Sequence, residues 1–157
     1  VELPTVSPDF QTNVPGLFIA GELGGMGLIR NAVSQGVQAI DAIARLPGVR
    51  RDDRLDVIIV GAGPAGFAAS LAAKEKGLRF KTIEQESFGG TVSHFPRNKL
   101  VMTQPARLPL VGQMKFREVS KETLLAFWKE AKERTGIEIS YQERTLLAGF
   151  SCANFPW

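Results

Sequence analysis

An apolar run that ends in a glycine-rich turn constrains the fold of this chain more than any other feature. Residues 55–60 read Leu-Asp-Val-Ile-Ile-Val, and Gly61, Gly63 and Gly66 follow at the spacing Gly-x-Gly-x-x-Gly. A short apolar run of this kind predicts a buried strand. The alanine-rich residues 64–76 predict a helix directly behind the turn. The sequence therefore predicts a strand that turns sharply into a helix.

A second strand follows this helix. Gly77 is placed to cap the helix at its C-terminal end, and residues 78–84 largely alternate between apolar and polar side chains, as a strand does. Strand, helix and strand in this order make a βαβ unit, because parallel strands need a crossover connection. Residues 137–141 predict a third short strand. We therefore expect an α/β fold, a Rossmann-like βαβ unit with a parallel sheet.

Other segments predict further elements. Residues 17–20 form a short apolar run that predicts a strand. From Leu28 onward, apolar residues recur at intervals of three and four, which predicts a helix of about four turns. Residues 85–119 contain three prolines and read as loop-rich. Ser120 can cap a last helix, which we expect to end at Thr135.

Charge and cysteine content exclude several functions. The 157 residues carry a net charge of +3, and because basic residues interleave with acidic ones, no nucleic-acid binding is predicted. Cys152 is the only cysteine, so the chain can form neither an intrachain disulfide nor a dithiol pair. No apolar run reaches the ~20 residues of a membrane span, and the first residues lack the pattern of a secretion signal. We expect a cytoplasmic protein, with no membrane contact and no metal centre.

The glycine spacing has a chemical meaning in this context. Gly61 permits the tight turn, Gly63 lets a pyrophosphate approach the backbone, and Gly66 lets the helix pack close to the strand. N–H groups at the helix start then bind the anion. Glu84, about twenty residues further on, is placed to accept hydrogen bonds from a ribose. Its charge disfavours a 2′-phosphate, which leaves FAD and NAD as alternatives.

At this point the residues resemble a known family. Residues 61–66 with Glu84 and the stretch Phe88-Gly-Gly-Thr91 are similar to the FAD-binding opening of the thioredoxin-reductase-like, FAD-dependent pyridine nucleotide-disulfide oxidoreductases. The resemblance implies FAD as the cofactor and places Gly90 and Thr91 beside the flavin. With the motif described next, the predicted cofactor-binding residues are Gly21, Glu22, Gly61, Gly63, Pro64, Ala65, Gly66, Glu84, Gln85, Gly90 and Thr91.

A second stretch resembles the closing FAD motif of the same family. It runs Thr-Asn-Val-Pro-Gly-Leu-Phe-Ile-Ala-Gly-Glu over residues 12–22, with Glu22 where the family usually has Asp. In the family that acid touches the ribityl chain, and the next helix points its N-terminus at the flavin side. Glu22 is one methylene longer than the usual Asp.

The closing motif comes before the opening motif, which inverts the order of a whole reductase. Residues 1–46 thus look like the end of one module and residues 55–149 like the start of another, with a charged linker at 47–54 and an irregular tail at 150–157. Either the halves pack into one permuted FAD domain, or each belongs to a truncated module of a longer tandem protein. The tail favours a fragment.

The chemistry of the family requires more than this chain holds. The family passes hydride from NAD(P)H through FAD to a cysteine pair, yet residues 91–94 (Thr-Val-Ser-His) contain no cysteine. NAD(P)H would bind through a domain outside this chain. His94 is a weak candidate for a proton donor, because a histidine side chain can exchange a proton in the physiological pH range, although a lone loop histidine is more often structural. The catalytic residues are otherwise unknown.

Three functions follow from these residues. The first is the FAD-binding part of a flavin-dependent NAD(P)H oxidoreductase, completed by further domains or a homodimer mate. The second is a non-catalytic FAD- or NAD-binding or electron-relay module, which the missing cysteine pair favours. The third, a Rossmann protein that binds NAD without flavin, is the weakest, because it leaves the resemblance of residues 12–22 unexplained.

Overall fold

The computed structural model describes residues 5–21, 28–141, 146–147 and 150–151. The helices are α1 (Ile29–Ala44), α2 (Pro64–Glu75) and α3 (Lys121–Thr135), with one 3₁₀ helix at Gly90–His94. The strands are β1 (Val57–Val60), β2 (Phe80–Glu84), β3 (Leu100–Met102), β4 (Ala106–Leu108), β5 (Gly112–Met114), β6 (Glu118–Ser120), β7 (Ile139–Tyr141), β8 (Leu146–Leu147) and β9 (Phe150–Ser151). Within the described residues, no helix is long and apolar enough to cross a membrane.

The predicted βαβ unit is confirmed. Strands β1, β2 and β7 form a parallel sheet in that order, with Val60 opposite Ile83 and Ile83 opposite Ser140. Helix α2 connects β1 to β2 and ends before Gly77, whose φ of +66° gives the helix a left-handed cap. The chain is therefore an α/β protein whose parallel strands end on the side of the glycine-rich turn.

Helix α1 packs along helix α2. The apolar stripe predicted from Leu28 onward is buried, with Val33 in the same apolar cluster as Phe67 of α2, and Ile40 in a second cluster with Ala72. Burial of one helix stripe against a neighbouring element is the main source of helix stability in proteins. The predicted N-terminal segment and the βαβ unit thus share their apolar core.

Helix α3 closes the other side of the core. Ser120 caps it as predicted, because its Oγ accepts a hydrogen bond of 3.2 Å from the N–H of Thr123. Trp128 is only 1% exposed and lies in one apolar cluster with Leu124 and Phe88. Phe88 belongs to the loop after β2, so this loop packs against α3.

Three expectations differ from the structure. Residues 17–20 form no regular strand, because their backbone bonds fold back on residues 10–12, from Thr12 N to Leu17 O and from Ile19 N to Phe10 O. The loop-rich residues 85–119 contain the short antiparallel pairs β3–β6 and β4–β5. In the tail predicted to be irregular, β9 pairs with β8. Pairs this short show no alternation in a sequence.

The charged linker is exposed but anchored at its end. The carboxylate of Asp56 accepts hydrogen bonds from the backbone N–H groups of Arg50 (2.7 Å) and Arg79 (2.8 Å). These two bonds, the Arg50 bond first, hold the pKa of Asp56 below its usual value. The linker is therefore fixed where β1 and β2 begin, at the end of the sheet opposite the glycine-rich turn.

Candidate cofactor site

The turn after β1 requires glycine for its backbone conformation. Gly61 has a φ of +99°, a region that residues with a side chain rarely adopt. Its N–H donates a 2.8 Å hydrogen bond to the carbonyl of Ile83, which continues the pairing of β1 with β2 by one residue. A Cβ atom on Gly61 would meet nothing within 4 Å, so the space above the turn is open.

Gly66 is required for close packing of the helix on the strand, as predicted. A Cβ atom on Gly66 would overlap the carbonyl oxygen of Gly61 and lie 2.9 Å from its carbonyl carbon. Both are backbone atoms and cannot rotate away. Any side chain at Gly66 would therefore push α2 off the turn.

The start of α2 has N–H groups that no helical carbonyl accepts. The first helical hydrogen bond runs from Phe67 N to Gly63 O at 2.8 Å. An α-helix leaves the N–H groups before that bond without helical partners, and here they belong to Ala65 and Gly66. Pro64, at the first helical position, has no N–H to satisfy. The predicted anion-binding residues thus form a single helix start.

Glu84 lies directly beside this turn. The residue is 8% exposed, and its carboxylate accepts hydrogen bonds from Ala62 N at 2.6 Å and from Glu86 N at 2.9 Å. Each carboxylate oxygen has two lone-pair sites, so both can accept one further bond. Gln85 is exposed next to it. The predicted ribose acceptor is therefore held in place by backbone donors and retains acceptor capacity.

A tyrosine borders Glu84 on the next strand. Tyr141 of β7 is opposite Glu84 in the strand register. Partial burial, and next the charge of Glu84, raise the pKa of Tyr141 above its usual value. The phenol of Tyr141 is thus neutral at physiological pH.

The second glycine turn contacts the first. The N–H of Gly89 donates a 3.0 Å hydrogen bond to the carbonyl of Ala62. Next in the chain, Gly90 begins the 3₁₀ helix, and a Cβ atom on it would lie 3.0 Å from the Cα atom of Gly63. Thr91 is exposed in that helix. The structure therefore brings both predicted glycine segments to one end of β1.

Part of the closing motif lies at the same place. Gly21 has a φ of +113°, and a Cβ atom on it would lie 3.3 Å from the Cβ of Ala65. Its N–H donates a 2.8 Å hydrogen bond to Oε1 of Gln35 in α1. Glu22, the acid of this motif, lies outside the described residues. Gly21 is therefore the one predicted residue of this segment that the structure shows at the start of α2.

Two residues of α1 at this junction were not predicted. Gln35 holds Gly21, and a Cβ atom on Gly36 would overlap the carbonyl oxygen of Ala65. A glycine inside a helical pattern usually has a packing reason, so Gly36 carried a signal for close contact. Gln35 carried none, because its partner is fourteen residues away and in no regular element.

His94 pairs with Glu86 at the protein surface. Its Nε2 atom is 2.9 Å from Oε2 of Glu86, and both side chains are more than half exposed. Residues 91–94 lie in the 3₁₀ helix and include no cysteine. A catalytic role for His94 stays a prediction.

The residues present fit a dinucleotide. The N–H groups at the start of α2, which have no helical partners, suit a diphosphate, the open space at Gly61 lets it approach, and Glu84 suits a ribose. Within the described part of the chain, no group of three or more His, Cys, Asp or Glu side chains could hold a metal ion.

Comparison with known proteins finds similar sequences among oxidoreductases. A family described as pyridine nucleotide-disulphide oxidoreductase has a sequence model that matches residues 58–152. One component of alkyl hydroperoxide reductase in Pseudomonas aeruginosa is 37% identical over 83 residues, which is 51% of this chain. Its counterpart in Pseudomonas putida is 36% identical over 85 residues, or 50% of this chain. The matches span 15% of the length of each relative.

A solved structure is also similar. The bacillithiol disulfide reductase of Staphylococcus aureus superposes with a TM-score of 0.47 and 19% sequence identity, over 57% of this chain and 28% of that one. The family model itself covers well over half of the 157 residues, and its match begins in β1, just before the glycine-rich turn. This chain therefore belongs to the pyridine nucleotide-disulphide oxidoreductase family.

Proposed function

We propose that this chain binds FAD and is the flavin-binding part of an oxidoreductase that passes electrons from NAD(P)H through FAD to an acceptor. The position of Glu84 carries the proposal. Its carboxylate accepts a hydrogen bond from Ala62 N inside the glycine-rich turn, so the proposed ribose acceptor is adjacent to the proposed diphosphate site. A glycine turn without this acid would serve a purely structural role equally well.

The proposed contacts follow from the geometry. The N–H groups of Ala65 and Gly66 would hold the diphosphate, with Gly61 and Gly63 providing the approach, and Glu84 would hold the adenosine ribose with Gln85 beside it. Nearer the flavin would lie Gly90, Thr91, Gly21 and Glu22. The flavin would supply the electron chemistry, while the protein supplies position and electrostatics.

FAD is preferred over NAD because of the closing motif. Residues 12–22 resemble the closing FAD motif of this family, and Gly21 of that segment lies so near the start of α2 that a Cβ atom on it would be 3.3 Å from the Cβ of Ala65. The Pseudomonas relatives are named as parts of alkyl hydroperoxide reductases. That name supports electron flow toward an acceptor, and NAD(P)H would enter through a domain outside this chain.

A second candidate is a non-catalytic FAD- or NAD-binding or electron-relay module. It is favoured by the 3₁₀ helix at Gly90–His94, which contains no cysteine beside the glycine turns. The chain has one cysteine in all, so it cannot form a redox-active dithiol by itself. Oxidation of NAD(P)H by flavin-loaded protein with an artificial acceptor separates the two. Turnover supports the oxidoreductase, and its absence in loaded protein supports the relay module.

The visible absorption spectrum tests the cofactor directly. Purified protein is mixed with excess FAD, desalted, and scanned for flavin bands that remain with the protein. Retained flavin near one per chain is the expected result. Calorimetric titration with FAD and with NAD ranks the two nucleotides, and tight binding of NAD without binding of FAD would overturn the proposal.

A further inference from the structure

We propose that helix α1 sets the position of the nucleotide-binding turn, with Gln35 and Gly36 as its positioning residues. The closing motif (residues 12–22) and the opening motif (residues 61–66) would then bind the same FAD molecule, although their order in the sequence is inverted. The inference rests on the proposed FAD site. It favours one permuted domain over two truncated modules.

The first support is the contact between α1 and α2. A Cβ atom on Gly36 would overlap the carbonyl oxygen of Ala65 and lie 3.0 Å from its carbonyl carbon. The backbone of α1 therefore touches the backbone of the first turn of α2. The contact lies one residue from Gly66, whose N–H is among the proposed diphosphate donors.

The second support is the hydrogen bond of Gln35. Its Oε1 accepts from Gly21 N at 2.8 Å, and a Cβ atom on Gly21 would lie 3.3 Å from the Cβ of Ala65. Gly36 thus lies against the carbonyl of Ala65, and the side chain of Ala65 leaves little room for a Cβ atom at residue 21. Consecutive residues of α1 control both contacts, so a displacement of α1 would move the diphosphate donors relative to Glu84.

The rest of α1 has a different role. Ile40 and Ile43 are buried further along the helix, in the cluster that contains Ile59 and Ala72. They contribute apolar packing, which needs no contact with the first turn of α2. Gln38 is exposed on the same helix, one turn after Gln35. It therefore provides a matched control for a substitution of Gln35.

The experiment compares Gln35→Met with Gln38→Met in the full chain. The dissociation constant for FAD is measured by quenching of flavin fluorescence. Loss of one hydrogen bond that holds the site predicts about tenfold weaker binding for Gln35→Met. The Gln38→Met protein is expected to bind within about twofold of the wild type.

A second readout separates positioning from general stability. Amide hydrogen exchange in the FAD-free protein should be faster at Gly21 and in the first turn of α2 for Gln35→Met, at an unchanged rate in α3. Gln35→Glu keeps an acceptor oxygen and should restore the protection of Gly21. Thermal unfolding of all three variants checks that each is folded.

The outcomes distinguish the two proposals. Wild-type protein that binds FAD while Gln35→Met matches Gln38→Met in affinity and exchange would overturn this inference and leave the proposed function standing. Wild-type protein that retains no FAD would overturn the proposed function, and the inference with it. If Gln35→Met binds FAD more weakly while Gln38→Met does not, and exchange at Gly21 is faster in Gln35→Met, both the inference and the proposed function are supported.

Discussion

Gly63 and Gly90 lie against each other, so that a Cβ atom on Gly90 would come within 3.0 Å of the Cα atom of Gly63. The adjacent hydrogen bond from Gly89 N to Ala62 O joins the same two turns at 3.0 Å. The loop proposed to lie beside the flavin is thereby fixed to the turn proposed to hold the diphosphate. Neither turn can shift without the other.

Two glycine substitutions should separate folding from cofactor binding. Gly66→Ala places a Cβ atom on the carbonyl group of Gly61, so we expect the free energy of unfolding to fall by about 3 kcal/mol or more. In Gly63→Ala the new atom would be 3.8 Å from the Cα of Gly90, an ordinary contact at an ordinary φ of −74°. We expect that variant to keep its stability within about 1 kcal/mol but to lose affinity for FAD.

Denaturant unfolding and flavin titration of both glycine variants make the measurement. Equal losses of stability in the two variants would contradict the assigned roles, as would FAD affinity of wild-type strength in Gly63→Ala.

Glu84→Gln should weaken FAD binding while keeping the size and shape of the side chain. The amide keeps one acceptor oxygen, but its NH₂ group would face the N–H of Ala62 or of Glu86, leaving one donor unpaired. We expect a dissociation constant for FAD about tenfold higher, since one charged hydrogen bond is lost. Glu86→Gln removes the same charge two residues away, from an exposed side chain. If both variants bind FAD equally well, Glu84 is not the ribose acceptor.

The buried hydroxyl groups of Ser70 and Thr82 should differ in how much stability is lost when each is removed. Ser70 Oγ is 2.7 Å from the carbonyl of Gly66 and 2.7 Å from Thr82 Oγ1. Because the serine proton is used on the carbonyl, the Thr82 hydroxyl must donate to Ser70. Ser70→Ala then leaves that hydroxyl unpaired and should cost about 1–3 kcal/mol of unfolding free energy.

Thr82→Val is the matched test of this assignment. It leaves the serine bond to Gly66 intact and replaces the threonine by a residue of the same shape, so its cost should be below about 1 kcal/mol. Chemical denaturation of the two single variants measures the difference. A larger loss for Thr82→Val would mean that the hydrogen bonds run in the other direction.

Asp56 predicts a pH dependence of stability. Bonds from Arg50 N and Arg79 N lower its pKa in the folded chain, so the folded state favours the carboxylate. The stability that Asp56 contributes is complete above its unfolded pKa of about 3.9 and is lost as the pH falls through its lower folded value. Between about pH 5 and pH 3, the unfolding midpoint of Asp56→Asn should therefore fall less than that of the wild type.

Asp53→Asn is the control for this titration. Its carboxylate is fully exposed and 3.8 Å from the Arg79 side chain, so its removal should leave the pH profile close to that of the wild type. Thermal melts in a series of buffers make the comparison. Parallel profiles for wild type and Asp56→Asn would show that another carboxylate governs the acid limb.

Features that depend on neighbouring residues in the chain could be predicted from the sequence. The turn at Gly61, the helix behind it and the cap at Gly77 each follow from local backbone chemistry, and β2 follows from its alternation. The approach of Gly66 to Gly61 could also be predicted, because Gly66 lies only five positions after Gly61. The position of Glu84 followed from the spacing of a βαβ unit.

Features that depend on distant partners could not. Residues 17–20 have the composition of a strand, but whether they join a sheet is decided by where their N–H groups find acceptors. The N–H of Leu17 donates to the carbonyl of Val14, and that of Ile19 to the carbonyl of Phe10. Gln35 looks like any polar residue of a helix until Gly21 is brought beside it. Gly36 signals a close approach and does not say which backbone approaches.

The short segment between α1 and β1 has a consequence for affinity between parts of the same molecule. Its residues 47–54 are mostly exposed, and Asp56 holds its end to the sheet. A short tether keeps α1 near α2 at an effective concentration on the order of millimolar. An affinity as weak as that of a transient association between separate proteins is therefore enough to keep Gly36 against Ala65. Lengthening the segment would lower the effective concentration only slowly.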